Sequence, residues 1–397
     1  MAAGVTDYVD AASSSPRESY SGQHLSDPCR QEDLKQRGRL RASRAKADAS
    51  GTVLRRWLEG ALPSLLDAES GLRTLRTLSA RGLSFVRGGR RVLVIGAGFI
   101  GSHVAEALLS QGTPTRVVTR SHPSSEVLEA LSGADLIIGD VMNPDVLDSA
   151  LTDVRQVVLC AGGLTPADSM ASPVADLQAS LSPLLAVLAA LKRRPGTGII
   201  YMSSGGTVYG EPIRLPISED HPTEPIVAYG ITHLAGEKYI ALYRRLYGVP
   251  ARILRASNMY GERQPANRNQ GVVAVFLRHI AAGEPIVVSG DGSVVRDYLY
   301  VRDLAAAITS LLRSDGGPTV LNVGSGEGTS LRELIGLIEE VTHLSARVEY
   351  AASRPFDVSR IVLDVSRLRE TIPFHPLSLR NGLELTWRSL RDGYSGK

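Results

Sequence analysis

Three glycines carry the first chemical signal in this chain. Arg91-Val-Leu-Val-Ile95 runs directly into Gly96-Ala-Gly98-Phe-Ile-Gly101, and a helical pattern follows from Ser102 to Gln111, closed by Gly112. Gly96 permits a tight turn, Gly98 lets backbone approach a ligand closely, and Gly101 lets the helix pack against the strand. A helix that begins here offers unpaired N–H groups and the positive end of its dipole, which together seat a pyrophosphate. A glycine-rich turn by itself is weak, but the strand before it and the helix after it complete a dinucleotide-binding context. An NAD site ordinarily places an acidic residue on the ribose about 20 residues further on. Here the next strand, Arg116-Val-Val-Thr-Arg120, ends on a cation followed by Ser121, a pair that suits a 2′-phosphate and so NADP. Arg120 stacked on the adenine or facing water is the alternative.

Such a turn needs a sheet to hold it. Strands are expected at 92–95, 115–119, 135–139, 156–160, 198–203 and 251–256, with helices at 99–111, 174–193 and 229–247. This alternation predicts a parallel sheet covered on both faces, with ligands at the carboxyl ends of its strands. The expected fold class is therefore α/β, a doubly wound Rossmann sheet over 89–258. After Asn258 the elements shorten and Gly and Pro multiply. Residues 259–397 are read as a smaller, mainly substrate-binding C-terminal region, some of whose segments return to the first domain. Residues 1–88 are expected to be a disordered or partly helical extension. Met1 to Ser50 is too poor in large apolar residues to build a core. Within Val53 to Leu78, Leu54, Trp57, Leu58, Leu62, Leu65 and Leu66 share one helical face. That face would dock on the main domain or on a partner, or the segment lies upstream of the true start.

Composition excludes several classes. The chain has 397 residues, is 43% hydrophobic and carries a net charge of +3, too small a bias to argue for nucleic acid. No apolar run is seen that approaches the ~20 residues of a membrane span, and Met1 to Ser15 lacks the pattern of a signal peptide. A cytoplasmic chain with no membrane partner is expected. Cys29 and Cys160 make no disulfide framework, and Cys160 reads as a small core residue. No His, Cys and carboxylate cluster has metal-ligand spacing, so no metal is expected.

Over roughly 91–390 the chain resembles the extended short-chain dehydrogenase/reductase family, in particular its nucleotide-sugar epimerases and dehydratases. The resemblance rests on ordered motifs: Gly96 to Gly101, Gly139-Asp140, Ser203-Ser204 leading to Val208-Tyr-Gly210, and Tyr229-Gly-Ile-Thr-His-Leu-Ala-Gly-Glu-Lys238. Leu254 to Gly261, Gly290 to Asp303 and Arg354-Pro-Phe-Asp-Val358 follow. It implies an NAD cofactor held by Gly96, Gly98, Phe99, Ile100, Gly101, Asp140, Val141 and Ala161, with Asp140 on the adenine amino group. It also implies that Asn258, Arg296 and Arg354 contact the diphosphate of a nucleotide-sugar; guanidinium forks bind phosphate oxygens bidentately. Surface salt bridges to Asp297 or Asp357 are the alternative role for the arginines.

The family's catalytic side chains are a Tyr, a Lys four residues later on the same helix face, and a Ser or Thr from the preceding strand. The Lys cation lowers the Tyr pKa and binds the nicotinamide ribose. Here Tyr229 is kept, His233 stands in the Lys position, and Gly205 occupies the usual hydroxyl position. Three readings stay open. His233, as imidazolium, replaces Lys while Ser204 or Thr207 supplies the hydroxyl; Tyr229 acts alone in an altered reaction; or the site only binds ligand. The expected function is an NAD(P)-dependent nucleotide-sugar epimerase in carbohydrate biosynthesis. The alternatives are a catalytically silent binding homologue or partner subunit, and a nucleotide-sugar reductase or dehydratase. The resemblance further implies a homodimer built from segments 174–193 and 229–247, where Leu181, Leu184, Leu185, Leu188 and Leu191 exceed what one sheet contact needs.

Overall fold

Hydrophobic strands and amphipathic helices alternate through the first half of a computed structural model that describes residues 91–395, apart from 163, 266–270, 315 and 354–357. The extension at 1–88 and the expected ligand Arg354 lie outside the described residues. In chain order come β1 (Arg91–Ile95), α1 (Phe99–Ser110), β2 (Thr115–Thr119), α2 (Ser125–Ala130), β3 (Asp135–Ile138), α3 (Pro144–Ala150) and β4 (Val154–Leu159). Next are α4 (Pro166–Ala171), α5 (Pro173–Asp176), a π-helical turn (Leu177–Leu181), α6 (Ser182–Leu191), β5 (Gly198–Ser204), α7 (Ala228–Tyr247) and β6 (Ala251–Ala256). The second half holds β7 (Asn258–Tyr260), α8 (Val272–Ala282), β8 (Ile286–Ser289), β9 (Val295–Tyr300), α9 (Val301–Leu311) and β10 (Val320–Val323). It ends with β11 (Gly328–Ser330), α10 (Leu331–Thr342), β12 (Val348–Ala351), β13 (Arg360–Ile361), α11 (Ser366–Thr371) and α12 (Leu379–Ser395).

Seven parallel strands form the main sheet in the order β10-β6-β5-β4-β1-β2-β3. The chain reverses direction across the sheet between β1 and β4, the crevice where doubly wound proteins bind ligands. β1 shows why its sequence is apolar throughout. Val92 and Val94 face a core shared with Leu108 of α1 and Leu304 and Ile308 of α9, while Leu93 and Ile95 face Leu184, Leu188 and Ile240 of α6 and α7. A strand buried on both faces shows no alternation. Each such side chain contributes about 1.5–3 kcal/mol of burial.

A second lobe gathers around the small sheet of β11, β9 and β13, with β7 beside β9, and the β8–β12 pair. Its core joins Tyr260, Phe276, Leu277, Tyr298, Tyr300, Leu334 and Ile338. Two of the later elements belong to the first lobe: β10 pairs with β6, and α9 packs its apolar face on α1.

The helix expected at 174–193 is two α-helical pieces, α5 and α6, joined by the π-helical turn. It also corrects the expectation that no apolar run approaches membrane length. Pro173–Leu191 is long and apolar enough, by length and composition, to cross a bilayer. The reason lies in packing. Leu184, Val187, Leu188 and Leu191 cover the sheet, while Val174 and Leu177 face outward, so apolar residues occupy both sides of the segment.

Candidate nucleotide and catalytic site

The glycine turn sits at the carboxyl end of β1, against Cys160 and Ala161, which follow β4. Gly96 has φ +101°, and a Cβ there would stand 2.9 Å from the Ala161 nitrogen. Only glycine tolerates both conditions. Gly101 is equally constrained, since a Cβ would lie 1.8 Å from the Gly96 carbonyl oxygen. Gly98 is the opposite case: it is exposed, and nothing stands within 4 Å of where its Cβ would be. α1 starts there with no side-chain cap and no acidic residue in its first turn. Open space in front of unpaired N–H groups fits a pyrophosphate. Phe99 and Ile100 are half-buried in that first turn, and Arg120 is exposed at the end of β2. After β3, Val141 is buried and Asp140 is exposed, its carboxylate accepting the Met142 N–H at 2.9 Å. The expected cofactor residues thus gather at one end of the sheet.

Two of the expected catalytic side chains lie on α7. Tyr229 is in its first turn and His233 one turn on, with ring centroids 4.4 Å apart. His233 is buried and turns toward β5: its Nδ1 is 3.2 Å from the Tyr201 hydroxyl, and the ring also bonds the backbone of Met202. Burial pulls its pKa down to about 4, with Asp176 and Glu237 opposing. Of the three readings, the one that needs an imidazolium does not describe the resting form; packed against the sheet and away from water, His233 is neutral near pH 7. Burial also pushes Tyr229 up to about 12, with the Asp176 charge adding to the rise. The pair as a whole is uncharged.

The hydroxyl position resolves by geometry. A Cβ on Gly205 would meet the Leu363 Cδ1 at 2.7 Å and the Arg255 carbonyl at 2.9 Å, so a serine there would need its surroundings to move. Thr207 instead borders α7, with its carbonyl oxygen 2.5 Å from where a Cβ on Gly230 would stand. Its own Oγ1 is buried without a hydrogen-bond partner. Ser204 is half-buried at the end of β5. In the second lobe, Asn258 donates its amide to the Asp297 carbonyl at 3.3 Å, and Arg296 Nη1 donates to the Val295 carbonyl at 2.9 Å. The Asp297 carboxylate accepts from Ser325, Gly326 and Leu363.

Six residues not singled out in the sequence form the polar contacts around this face of α7. Glu237, two turns beyond Tyr229 on the same helix face, takes Arg255 in a buried two-point ion pair, Nε to Oε1 at 2.9 Å and Nη2 to Oε2 at 2.6 Å. Ser203 donates to Glu237 at 2.6 Å, and Arg255 donates on to Tyr209 at 3.0 Å. Tyr201 supports His233. Asp176 is wholly buried, accepting from the Ser169 and Ser180 hydroxyls. The spacing of Glu237 from Tyr229 was the one signal available. Among the described residues no group of three or more His, Cys, Asp or Glu is arranged to hold a metal ion.

A doubly wound sheet with an open glycine cradle at its switch point, and a helix carrying Tyr229 alongside, defines a dinucleotide-binding α/β protein. The model of the NAD dependent epimerase/dehydratase family matches residues 92–324, and the chain belongs to that family. A putative UDP-glucose 4-epimerase of Methanocaldococcus jannaschii is 32% identical over 292 residues, covering 73% of this chain and 94% of the relative. A crystal structure of the Thermotoga maritima UDP-glucose 4-epimerase with UDP-glucose is 32% identical, with TM-score 0.72 over 77% of this chain and 99% of that one. The Thermus thermophilus UDP-glucose 4-epimerase complex with NAD is 31% identical, with TM-score 0.70 over 76% and 99%.

The His233 environment has a measurable consequence for stability. Its folded pKa lies below the unfolded value of 6.5, so the folded state binds the proton less tightly. Its contribution is present above pH 6.5 and is lost as the pH falls toward 4, by on the order of 3 kcal/mol in all. His233→Gln should flatten urea-unfolding stability across that window. An unchanged pH slope in the variant would show that His233 is not held neutral.

Proposed function

We propose that this protein is an NAD-dependent nucleotide-sugar epimerase that inverts a sugar carbon by removing and returning a hydride. The observation that carries the reading is the open cradle at Gly98 facing the same sheet end as Tyr229 and the unpartnered Thr207 hydroxyl. Similarity to UDP-glucose 4-epimerases supports UDP-hexoses as the substrate class, and the NAD-bound relative supports NAD over NADP. On this reading exposed Arg120 lies beside the adenosine without a 2′-phosphate to hold.

A bound nicotinamide supplies the hydride acceptor and donor. Gly96, Gly98, Phe99, Ile100 and Gly101 would hold the pyrophosphate on the N-terminus of α1, Asp140 and Val141 the adenine, and Ala161 the wall across the crevice. Tyr229 Oη moves the proton of the sugar hydroxyl. Thr207 Oγ1 shares a hydrogen bond with that hydroxyl in place of the absent side chain at Gly205, with Ser204 beside it. Neutral His233 packs against the Tyr229 ring. Asn258 and Arg296, with Arg354, would take the diphosphate. A second reading, a homologue that binds nucleotide-sugars without turnover, is favoured by one observation: no cation stands in the Lys position, because His233 is neutral.

With NAD and UDP-glucose, the purified protein should form UDP-galactose, followed by proton NMR. Tyr229→Phe should slow this by about 10²–10⁴-fold, the usual contribution of a proton-transfer group, while leaving UDP-glucose bound. Binding of UDP-hexoses without any interconversion would hand the protein to the second reading.

The same helices support a homodimer. Ile231, Tyr239, Leu242 and Leu246 of α7 are exposed, with Val174 and Leu177 outward on the neighbouring segment. Such a continuous apolar face marks an interface. Two copies would join α6 and α7 in a four-helix bundle. Sedimentation should report a dimer that Leu242→Glu with Leu246→Glu converts to monomer; a monomeric wild type at micromolar concentration would remove the proposal.

A further inference from the structure

One buried hydroxyl of the central sheet is held by the helix that carries Tyr229. Tyr201 stands in the middle of β5 at 3% exposure, in a core made with Leu184 and Leu188 of α6, Ile240 of α7 and Ile253 of β6. A phenol buried among apolar side chains needs a partner for its O–H. It has one on α7, where the hydroxyl lies 3.2 Å from His233 Nδ1. Gly236, three residues on from His233, makes room for that contact. A Cβ at Gly236 would stand 2.6 Å from the Tyr201 hydroxyl oxygen and 3.0 Å from the Leu184 Cδ2. Glycine inside a 20-residue helix weakens it relative to alanine, and the slot for the Tyr201 hydroxyl accounts for its presence. Tyr201, His233 and Gly236 thus make one contact from three sequence positions.

His233 passes the constraint on. Its ring packs on that of Tyr229, with centroids 4.4 Å apart and planes tilted by 56°. Buried, with Nδ1 engaged, it stands between β5 and Tyr229 as a fixed wall. The next turn of α7 is held separately, by Glu237 on Arg255 and Ser203. Those bonds fix the helix on the sheet but not the angle at which the Tyr229 phenol leaves it. That angle is set by two side-chain torsions, and the surface the ring leans on selects among their settings. An imidazole free to turn about its own torsions would carry that surface with it.

We propose that Tyr201 is a positioning residue: its hydroxyl holds the His233 ring, and the ring sets the orientation of the Tyr229 phenol. For the reaction it serves, the proposal rests on the epimerase reading above. There Tyr229 Oη exchanges a proton with the sugar hydroxyl, a transfer that needs donor and acceptor within hydrogen-bond reach. A misplacement of about 1 Å in such a group costs on the order of 100-fold in rate. With Nδ1 on Tyr201 and a ring face on Tyr229, His233 serves the site by shape, whereas a lysine four residues after the Tyr would serve by charge. Tyr201 itself is sealed under α7 and acts only through His233.

Two variants break the contact from opposite sides. Tyr201→Phe removes only the hydroxyl; Gly236→Ala fills the slot and pushes the hydroxyl off His233 with both side chains still present. Each should lower kcat for UDP-glucose interconversion by about tenfold or more, with KM for UDP-glucose and NAD affinity by calorimetry unchanged. The double variant should be no slower than the slower single one, because both changes remove the same contact. In protein with ¹³C-labelled tyrosine, the Tyr229 ring signal, assigned by its loss in Tyr229→Phe, should shift in both variants. A smaller fall in kcat in either folded variant, losses that multiply in the double variant, or an unmoved Tyr229 signal would overturn the proposal. Failure of both single variants to fold would also overturn it, since Tyr201 would then be structural only. A wild type without interconversion would instead defeat the epimerase reading, and the Tyr229 signal would still decide whether Tyr201 sets its position.

Discussion

The arrangement of this site depends on the ion pair between Glu237 and Arg255. Both are buried, and the guanidinium meets the carboxylate at two points, 2.9 and 2.6 Å. The pair fastens α7 to β6, and Ser203 ties the same carboxylate to β5. From Arg255 the network runs through Tyr209 to Asn322 of β10, whose amide reaches the Ile217 and Asp364 carbonyls. A helix face bearing Tyr229, His233 and Glu237 is thereby set at one height on the sheet. Every polar atom in the pair has a partner, the condition under which a buried ion pair is tolerated; removing one member of such a pair typically costs about 3–5 kcal/mol. The cost of burying charge here is met by fixing where Tyr229 stands.

That network also sorts the charges. Glu237 is neutralised locally by Arg255, so its influence on the reacting pair is muted, whereas Asp176 has only hydroxyl partners. With a neutral His233 in place of a cation, the electrostatics around Tyr229 are inverted relative to a site with lysine. Tyr229 then keeps its proton near neutral pH, which suits donation to a ketone oxygen, and it must find help from its neighbours to accept one. Nearby, the Thr207 hydroxyl is buried without a hydrogen-bond partner, and Ser204 is half-buried at the end of β5.

Much of the fold was legible because it is written locally. The run from Arg91 to Gly101 shows strand, turn and helix within one window, and the six strands of the first half fall within a residue or two of their expected positions. Asp140, Asn258 and Arg296 were singled out through ordered motifs. What escaped the sequence is what depends on distant segments. The charge of His233 is decided by its burial against Tyr201 and Met202. Gly205 lacks a side chain because Leu363 and the β6 backbone occupy the space a Cβ would need. Asp176 looked like one acid in an apolar helix; its place beside Tyr229 exists only once α4, α5 and α7 have packed. The apolar length of Pro173–Leu191 was underread because polar Asp176, Gln178 and Ser180 interrupt the run in sequence, although Asp176 and Ser180 are buried in the fold.

The most direct measurement is the absorbance of the nicotinamide itself. Adding UDP-glucose or UDP-galactose to NAD-loaded protein should raise absorbance at 340 nm as hydride leaves the sugar, and Tyr229→Phe should abolish that rise. A wild type that binds the sugar nucleotide with no change at 340 nm would contradict the account, for the site would then hold its ligands without moving a hydride between them.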